Sequence, residues 1–288
     1  MFRDRRRAIG YTSIAALALI IGSLSYGIGA QASGPEDAEG LKTSAPVKLS
    51  EDELKVSRQN AIDAAQVANA NDQLKVMESG GEVTYHETLT ALLDTLNCAK
   101  AAGLKIDPPR PDWSGAGLQY SASYPATGRD EASGKTLNLG LFDDCYNQHA
   151  RYIDMAYQLS QANVRYETTV SMARCIAADG GDVTTDDPLP ILMAHTSPGD
   201  HCLSDAQRLP DADLLDVASD LHSAQFLSGS SSYDAVLAAL HDASTVTDPG
   251  TVCVDLSAAA GSAADLEGDG IYLMQSLIDI DIRSRGCN

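Results

Sequence analysis

The chain has 288 residues and a formal net charge of −20 at pH 7, from 40 acidic and 20 basic side chains. Its length is sufficient for one or two domains with a sizeable core. The acidic balance argues against nucleic acid as a partner, because phosphate binding requires clustered Lys and Arg. Aromatic residues make up only 5% of the chain, so a broad stacking platform is not indicated either.

The N-terminus combines a basic start with a long uncharged stretch. Residues 8–35 contain no charged side chain, and they follow Arg3, Arg5, Arg6 and Arg7. This order predicts that the rest of the chain is exported and therefore extracytoplasmic.

The fate of residues 1–32, the basic region and the apolar segment, has two alternatives. As a signal peptide, the segment would be cleaved after Ala32 and the protein would be secreted. As an uncleaved segment, residues 8–30 are long enough, at about 20 residues, for a single-pass membrane anchor. The anchor is favoured, since the uncharged run is longer than a usual signal core.

All six cysteines lie beyond the apolar segment, and an even number in an exported chain predicts disulfide bonds. We take pairing between neighbours in the sequence as a working hypothesis. It joins Cys98 to Cys145, Cys175 to Cys202, and Cys253 to Cys287. No Cys-x-x-Cys pair occurs, so neither a zinc ribbon nor a thioredoxin-like site is predicted.

Residues 33–48 mix Gly, Ser, Pro and charged residues without periodicity, which predicts a flexible linker. Ser50 and Glu53 then form a capping box, and the helix that follows is expected to continue to about Met77. We assign residues 49–79 as a helical stalk. Because its apolar face is shallow and rich in alanine, a helix that lies on the domain is the alternative.

Residues 80–288 are expected to form one disulfide-braced, all-α domain. A second capping box, Thr84 with Glu87, opens an amphipathic helix that reaches Cys98. Residues 104–140 follow as one long loop rich in Pro, Gly and aromatic residues. Alternation near 118–124 predicts a short strand, and a small hairpin within the loop is the alternative. Helical periodicity resumes at Asp143 and ends with a helix at 271–282.

An internal similarity with an offset of 77 residues places Cys98 and Gly103 on Cys175 and Gly180. It indicates a decayed repeat of residues 84–160 and 161–228.

No pattern in the sequence predicts a catalytic residue, a cofactor or a metal site. His86-Glu87 lacks the second histidine of a zinc-protease helix, because position 90 is a threonine. The acidic segment 265–270 begins like a calcium loop, but Ser276 stands where a bidentate carboxylate is required.

The segment 108–124 combines prolines with aromatic residues and is a candidate binding loop. Its candidate contact residues are Trp113, Tyr120 and Tyr124. The alternative is a structural role, in which the aromatic residues attach the loop to the helices.

Two patterns carry a family resemblance over residues 84–160. The first is Leu-x-x-Leu-Asn-Cys98-x-x-x-x-Gly103, and the second runs from Phe142-Asp-Asp-Cys145-Tyr146 through His149 to Tyr157-Gln158. Together they resemble uncharacterised exported, cysteine-containing helical proteins of actinobacteria. The resemblance implies an extracytoplasmic, often membrane-tethered protein and brings no established activity with it.

The function that we expect is that of a non-enzymatic binding protein of the bacterial cell envelope, membrane-tethered or secreted. Its partner would be a protein or another envelope component. The alternative is a secreted hydrolase or small-ligand-binding protein that uses acidic residues with His149, or with His195 and His201.

Overall fold

The computed structural model describes residues 47–79, 81–123, 140–196 and 200–287. The segment 1–32, expected as a signal peptide or anchor, lies outside the described residues, as do residues 33–46 of the expected linker and Tyr124 of the candidate loop. None of the helices in the described ranges combines the length and the apolar character that crossing a membrane requires.

The described residues form twelve helices and one small sheet, which confirms the prediction of a mostly helical domain. In chain order, the elements are α1 Glu51–Val67, α2 Asn71–Glu78, α3 Tyr85–Ala101, β1 Lys105–Pro111, β2 Leu118–Ser123, α4 Gly140–His149, α5 Arg151–Ser160, α6 Ala162–Ala178, α7 Leu189–Ala194, α8 His201–Ala206, α9 Leu214–Ser223, α10 Ser230–Thr245, α11 Pro249–Ala263 and α12 Ile271–Ser284.

The N-terminal helix begins at the predicted capping box but ends earlier than expected. Ser50 and Glu53 make both reciprocal hydrogen bonds of the box. The expected continuation to Met77 was wrong, because Asn69 has a φ of 57° and a left-handed residue cannot continue a right-handed helix. In place of a free stalk, α1 packs on α5 and buries Ala61 and Ala65.

Helix α3 supplies the centre of the main core. Thr84 and Glu87 form the predicted capping box, and the helix ends before Gly103, whose φ is 92°. The leucines at the predicted helical spacing are all buried, at 2% exposure or less: Leu89, Leu92, Leu93 and Leu96. This apolar side of α3 lies between α5 and α9, and α4 and the sheet flank it.

The predicted strand is one half of a hairpin. β1 pairs antiparallel with β2, and the pairing is irregular between Asp107 and Arg110. Pro108 and Pro109 occupy that irregularity, because proline has no N–H for the strand ladder. The hairpin contacts α3 on one side and α12 on the other.

The C-terminal half packs as a group of helices on the same core. Helices α10 and α11 pack closely against each other, and α11 also packs on α12. Helix α12 is the most buried of them, with four apolar side chains at 0% exposure: Leu273, Met274, Leu277 and Ile278.

A second, smaller apolar cluster lies between α6, α7 and α8. We call it the minor core, and it consists of Met172, Ala173, Ile176, Val183, Leu192, Cys202 and Ala206. It is separate from the main core because the apolar side of α6 near its C-terminus faces the two short helices.

Three disulfides join the cysteines as sequence neighbours, which confirms the working hypothesis. Cys98–Cys145 links α3 to α4, Cys175–Cys202 links α6 to α8, and Cys253–Cys287 links α11 to the C-terminus. Each bridge therefore joins segments that are 27 to 47 residues apart in the chain. In the chain-entropy description, such loops contribute about 3–4 kcal/mol each by restricting the unfolded state.

The first helix of each expected repeat unit ends with the same local geometry. Gly103 and Gly180 have φ values of 92° and 90°, and each follows a disulfide-bonded cysteine by five residues. The shared geometry is that of a helix C-terminus. The duplication itself stays a prediction.

The junction between α4 and α5 is held by one buried side chain, Gln73. Its Nε2 donates to the carbonyls of Asn147 and Gln148 at 2.8 and 3.2 Å, and its Oε1 accepts from the N–H of Tyr152 at 2.8 Å. Gln73 is only 2% exposed, and its three hydrogen bonds join α2 to the backbone on both sides of the junction.

We expect Gln73→Ala to lower the free energy of unfolding by about 2–4 kcal/mol, because it removes the three hydrogen bonds that attach α2 to the α4–α5 junction. Gln66→Ala, at an exposed position of α1, is the control and should change it by less than about 0.5 kcal/mol. Urea denaturation of both variants measures the difference. Equal effects would show that Gln73 does not carry the junction.

Candidate functional site

The turn of the hairpin is built around a buried carboxylate. Asp112 is 7% exposed, and its Oδ1 accepts hydrogen bonds from the backbone N–H and the hydroxyl of Ser114 and from the N–H of Gly117. Residue 117 must be glycine here, because a Cβ would overlap the carboxylate of Asp112 and the guanidinium of Arg165. The turn therefore folds around the carboxylate of Asp112, which is itself a residue of the turn.

Arg165 on α6 neutralises this carboxylate. Its Nε and Nη2 donate to Asp112 Oδ2 at 3.2 and 3.0 Å, and its Nη1 donates to the carbonyl of Gln158 at 3.1 Å. The two side chains are 14% and 9% exposed, so the pair is largely removed from water. A buried pair of this kind is tolerated only when its remaining polar atoms are also hydrogen-bonded, as they are here.

A second buried carboxylate, Asp154 on α5, receives the aromatic residues of the hairpin region. The hydroxyls of Tyr120 and Tyr146 donate to its Oδ2 at 2.8 and 2.7 Å, and Gln158 Nε2 donates to its Oδ1 at 3.0 Å. The rings of Tyr120 and Tyr146 also pack with Phe142. Through Gln158, whose Oε1 accepts from Arg165, this cluster is continuous with the Asp112 pair.

The candidate binding loop is thus divided between two environments. Tyr120 has its hydroxyl on Asp154 and its ring against the helices, which is the structural role named above as the alternative. Trp113 is half-buried in the turn. The structure does not place Trp113 and Tyr120 together on an open surface.

Two histidines contact acidic residues. His86 Nδ1 lies 2.6 Å from Asp220 Oδ2, between the first turn of α3 and α9. Burial raises the pKa of the Asp220 carboxyl, and the neighbouring His86 ring opposes part of that rise. The sequence did not indicate this pair, because its members are 134 residues apart.

The second pair, His201 with Asp179, lies beside a disulfide. His201 Nε2 is 3.1 Å from Asp179 Oδ2, 3.5 Å from Cys175 Sγ and 3.6 Å from Cys202 Sγ. The histidine and aspartate side chains are 62% and 56% exposed, whereas Cys202 is 2% exposed.

The other sites weighed in the sequence hold no such cluster. His195 is exposed at the C-cap of α7, and His149 is half-buried at the last residue of α4. In the acidic segment 265–270, the backbone of Glu267 pairs with Ser228, and Asp269 lies 3.4 Å from Lys100.

An open polar groove of about 550 Å³ runs along the α4–α5 junction. Its walls are the link between α1 and α2 on one side and the ends of α4 and α5 on the other. It is lined by Ala68, Asn69, Ala70, Asn71, Asp72, Asn147, Gln148, Arg151 and Tyr152. We call it the amide groove, because four of these nine residues carry a side-chain amide.

Much of the hydrogen-bonding capacity of the amide groove is unused. Within the described ranges, no hydrogen bond involves the side-chain amides of Asn69, Asn71 or Gln148. Arg151 donates to Asn147 Oδ1 at 2.7 Å and lies over the ring of Tyr152, at 5.9 Å from its centroid. The groove therefore offers donors, acceptors and one aromatic face.

No protein-family model matches the chain, and neither a curated protein nor a solved structure is significantly similar to it.

Arg165→Met should lower the free energy of unfolding by about 3–5 kcal/mol, because it leaves Asp112 charged and buried without its partner. Arg174→Met, at an exposed position of the same helix, is the matched control with an expected change below about 0.5 kcal/mol. Denaturation curves decide between the two outcomes. A small effect at residue 165 would mean that the hairpin is held by packing alone.

Alkaline pH should destabilise the domain through three buried phenols. Burial raises the pKa of Tyr85, Tyr120 and Tyr157, whereas in the unfolded chain these groups ionise near pH 10. The unfolded state therefore binds fewer protons above that pH, and stability falls as pH rises, by about 1.4 kcal/mol per pH unit for each phenol.

Denaturant titrations at several pH values above 10 measure this slope. Tyr157→Phe should reduce the slope of the unfolding free energy against pH by about 1.4 kcal/mol per pH unit, which is the contribution of one phenol. This holds whatever the variant does to stability at neutral pH. An unchanged slope would show that Tyr157 ionises in the native protein.

Proposed function

We propose that the chain is an extracytoplasmic, non-enzymatic binding protein of the bacterial cell envelope, and that a polypeptide partner binds in the amide groove. Three disulfides that include every cysteine are consistent with an oxidising compartment. Tethering by residues 8–30, or secretion after cleavage, belongs to the same proposal. So does kinship with the exported actinobacterial proteins that residues 84–160 resemble.

The observation that carries the proposal is the set of free amides in the groove. A side-chain amide is both donor and acceptor, and it therefore matches the peptide groups of an extended segment. Asn69, Asn71 and Gln148 supply these groups from both walls. Arg151 and Tyr152 add a cation and a ring face for partner side chains.

The groove is also held in a fixed shape, which favours binding because little conformational entropy is lost. Gln73 attaches α2 to the α4–α5 junction through three hydrogen bonds. Cys98–Cys145 attaches the middle of α4 to α3. The two walls therefore cannot move apart independently.

By contrast, the buried polar residues of the hairpin region are used by the fold itself. Asp112, Arg165 and Asp154 satisfy one another and their neighbours, so they offer no free group to a ligand. This is why we place the binding surface at the groove and not at the proline-aromatic loop.

Photo-crosslinking on intact cells tests the proposal. A benzophenone-bearing residue at position 71 or 148 is expected to capture one dominant polypeptide, because both positions line the groove. The same residue at position 242, which is exposed on α10, is the matched control and should not capture it. Mass spectrometry identifies the product and shows whether residues 1–32 remain on the chain.

The opposite result has a defined meaning. If positions 71 and 148 capture no polypeptide, or capture the same ones as position 242, the amide groove is not the binding surface. A product found with a cytoplasmic partner alone would contradict the extracytoplasmic assignment.

A secreted hydrolase or small-ligand-binding protein is the second candidate. The His86–Asp220 and His201–Asp179 contacts favour it, because an imidazole held by a carboxylate is a common arrangement of a general base. Failure of the crosslinking experiment would direct attention to these two pairs.

A further inference from the structure

The most concentrated group of metal-ligating atoms in the described part of the chain surrounds one disulfide. Cys175, Asp179, His201 and Cys202 each present one donor atom, and all four atoms lie within 4.8 Å of one another. The helix ends explain this concentration. Cys175 and Asp179 are one turn apart at the C-terminus of α6, and His201 and Cys202 open α8.

The spacing of these atoms can be compared with a zinc site. Tetrahedral zinc with bonds of 2.0–2.3 Å to N, O and S has donor atoms roughly 3.3–3.8 Å apart. The observed distances are 3.1 Å from His201 Nε2 to Asp179 Oδ2, and 3.5 and 3.6 Å from Nε2 to the two sulfurs. Cys202 Sγ lies 3.6 Å from Asp179 Oδ2. Four edges of the tetrahedron are thus nearly in place.

The disulfide is the feature that excludes zinc from this cluster in the oxidised protein. Zinc binds cysteine as a thiolate, and a sulfur that is bonded to a second sulfur is not a thiolate. Zinc binding and the disulfide therefore exclude each other.

We propose that Cys175, Asp179, His201 and Cys202 form a zinc site that opens when the Cys175–Cys202 disulfide is reduced. The oxidised protein has the bridge and a His201–Asp179 contact, and the reduced protein has a Cys₂HisAsp site for one Zn²⁺. The same four residues would thus link α6 to α8 in either redox state.

The chemistry balances with an external dithiol as reductant. Its two thiols lose two electrons and two protons and become a disulfide, while Cys175 and Cys202 gain them and become thiols. Zn²⁺ then replaces the two thiol protons, which pass to solvent. His201 ligates through neutral Nε2, and Asp179 ligates as a carboxylate.

Two features keep the donors together after reduction. The minor core packs α6 against α8 through Met172, Ile176 and Ala206, in addition to the S–S bond. Asp200 caps α8 by accepting from the N–H of Cys202 at 2.8 Å, which fixes the first turn that holds two ligands. Exposure of His201 and Asp179 gives a metal ion access from solvent.

The experiment uses the full chain, reduced with a water-soluble phosphine and titrated with Co²⁺ and then Zn²⁺. The phosphine takes up one oxygen from water and leaves no competing thiol. We expect one Co²⁺ per chain, with thiolate-to-cobalt charge-transfer and tetrahedral d–d absorption bands that Zn²⁺ abolishes. The oxidised chain should show neither band.

Variants of the proposed ligands test whether these residues bind the metal. Asp179→Ala and His201→Ala should each weaken Co²⁺ binding at least about 10- to 100-fold, since loss of an outer-shell partner already has that effect. His195→Ala, an exposed histidine outside the cluster, is the control and should bind as the parent does. The double variant Cys253→Ser, Cys287→Ser should keep the bands.

A second measurement remains informative even if the fully reduced chain unfolds. The oxidised protein is exposed to limiting phosphine with and without Zn²⁺, and cysteines are then alkylated in denaturant after zinc removal. Zn²⁺ should increase reduction of Cys175–Cys202 relative to the other two bridges. Bands that persist in both ligand variants, or no zinc effect on this bridge, would overturn the proposal.

Discussion

The buried ion pair of Asp112 and Arg165 is the interaction on which the arrangement of this domain depends. Removing two charges from water costs several kcal/mol for each ion, and the loss is offset only when every polar atom has a partner. Here the requirement dictates the surroundings: a serine and a glycine in the turn, and Gln158 beside the guanidinium. The pair thereby specifies where the hairpin meets α5 and α6.

This constraint positions the hairpin that the described residues contain among the helices. The carboxylate of Asp112 holds the turn, the hydroxyl of Tyr157 donates to Ala116 O at 2.6 Å, and Ser114 O accepts from the N–H of Arg208. The hairpin thus connects α5 and α6 to the segment that leads into α9. The polar groups of its turn are directed inward, and free hydrogen-bonding groups remain at the amide groove.

Local signals in the sequence predicted the elements that depend on local physics. The capping boxes at Ser50 and Thr84, the leucine spacing of α3 and the alternation of β2 all involve neighbours within a few residues. The break at Asn69 could not be predicted this way, since a polar residue in an exposed turn of helix has no distinctive pattern. Helix α11 has no strong local signal of its own, because its Ala, Ser and Gly residues give weak periodicity.

The candidate sites depend on contacts between distant residues, which periodicity does not report. Arg165 contacts Asp112 although the two residues are 53 positions apart, and an arginine among polar residues cannot be distinguished in sequence from a surface arginine.

The cluster around His201 likewise depends on contacts that the sequence pattern does not report. Cys175 and Asp179 have ligand spacing, but His201 and Cys202 join them only because α6 and α8 share the minor core. The even number of cysteines predicted disulfides, and the working hypothesis of neighbour pairing gave this bridge, but neither indicated the donors beside it. A disulfide that brings two helix ends together also assembles whatever donors those ends carry, so a paired cysteine can still belong to a chemical site.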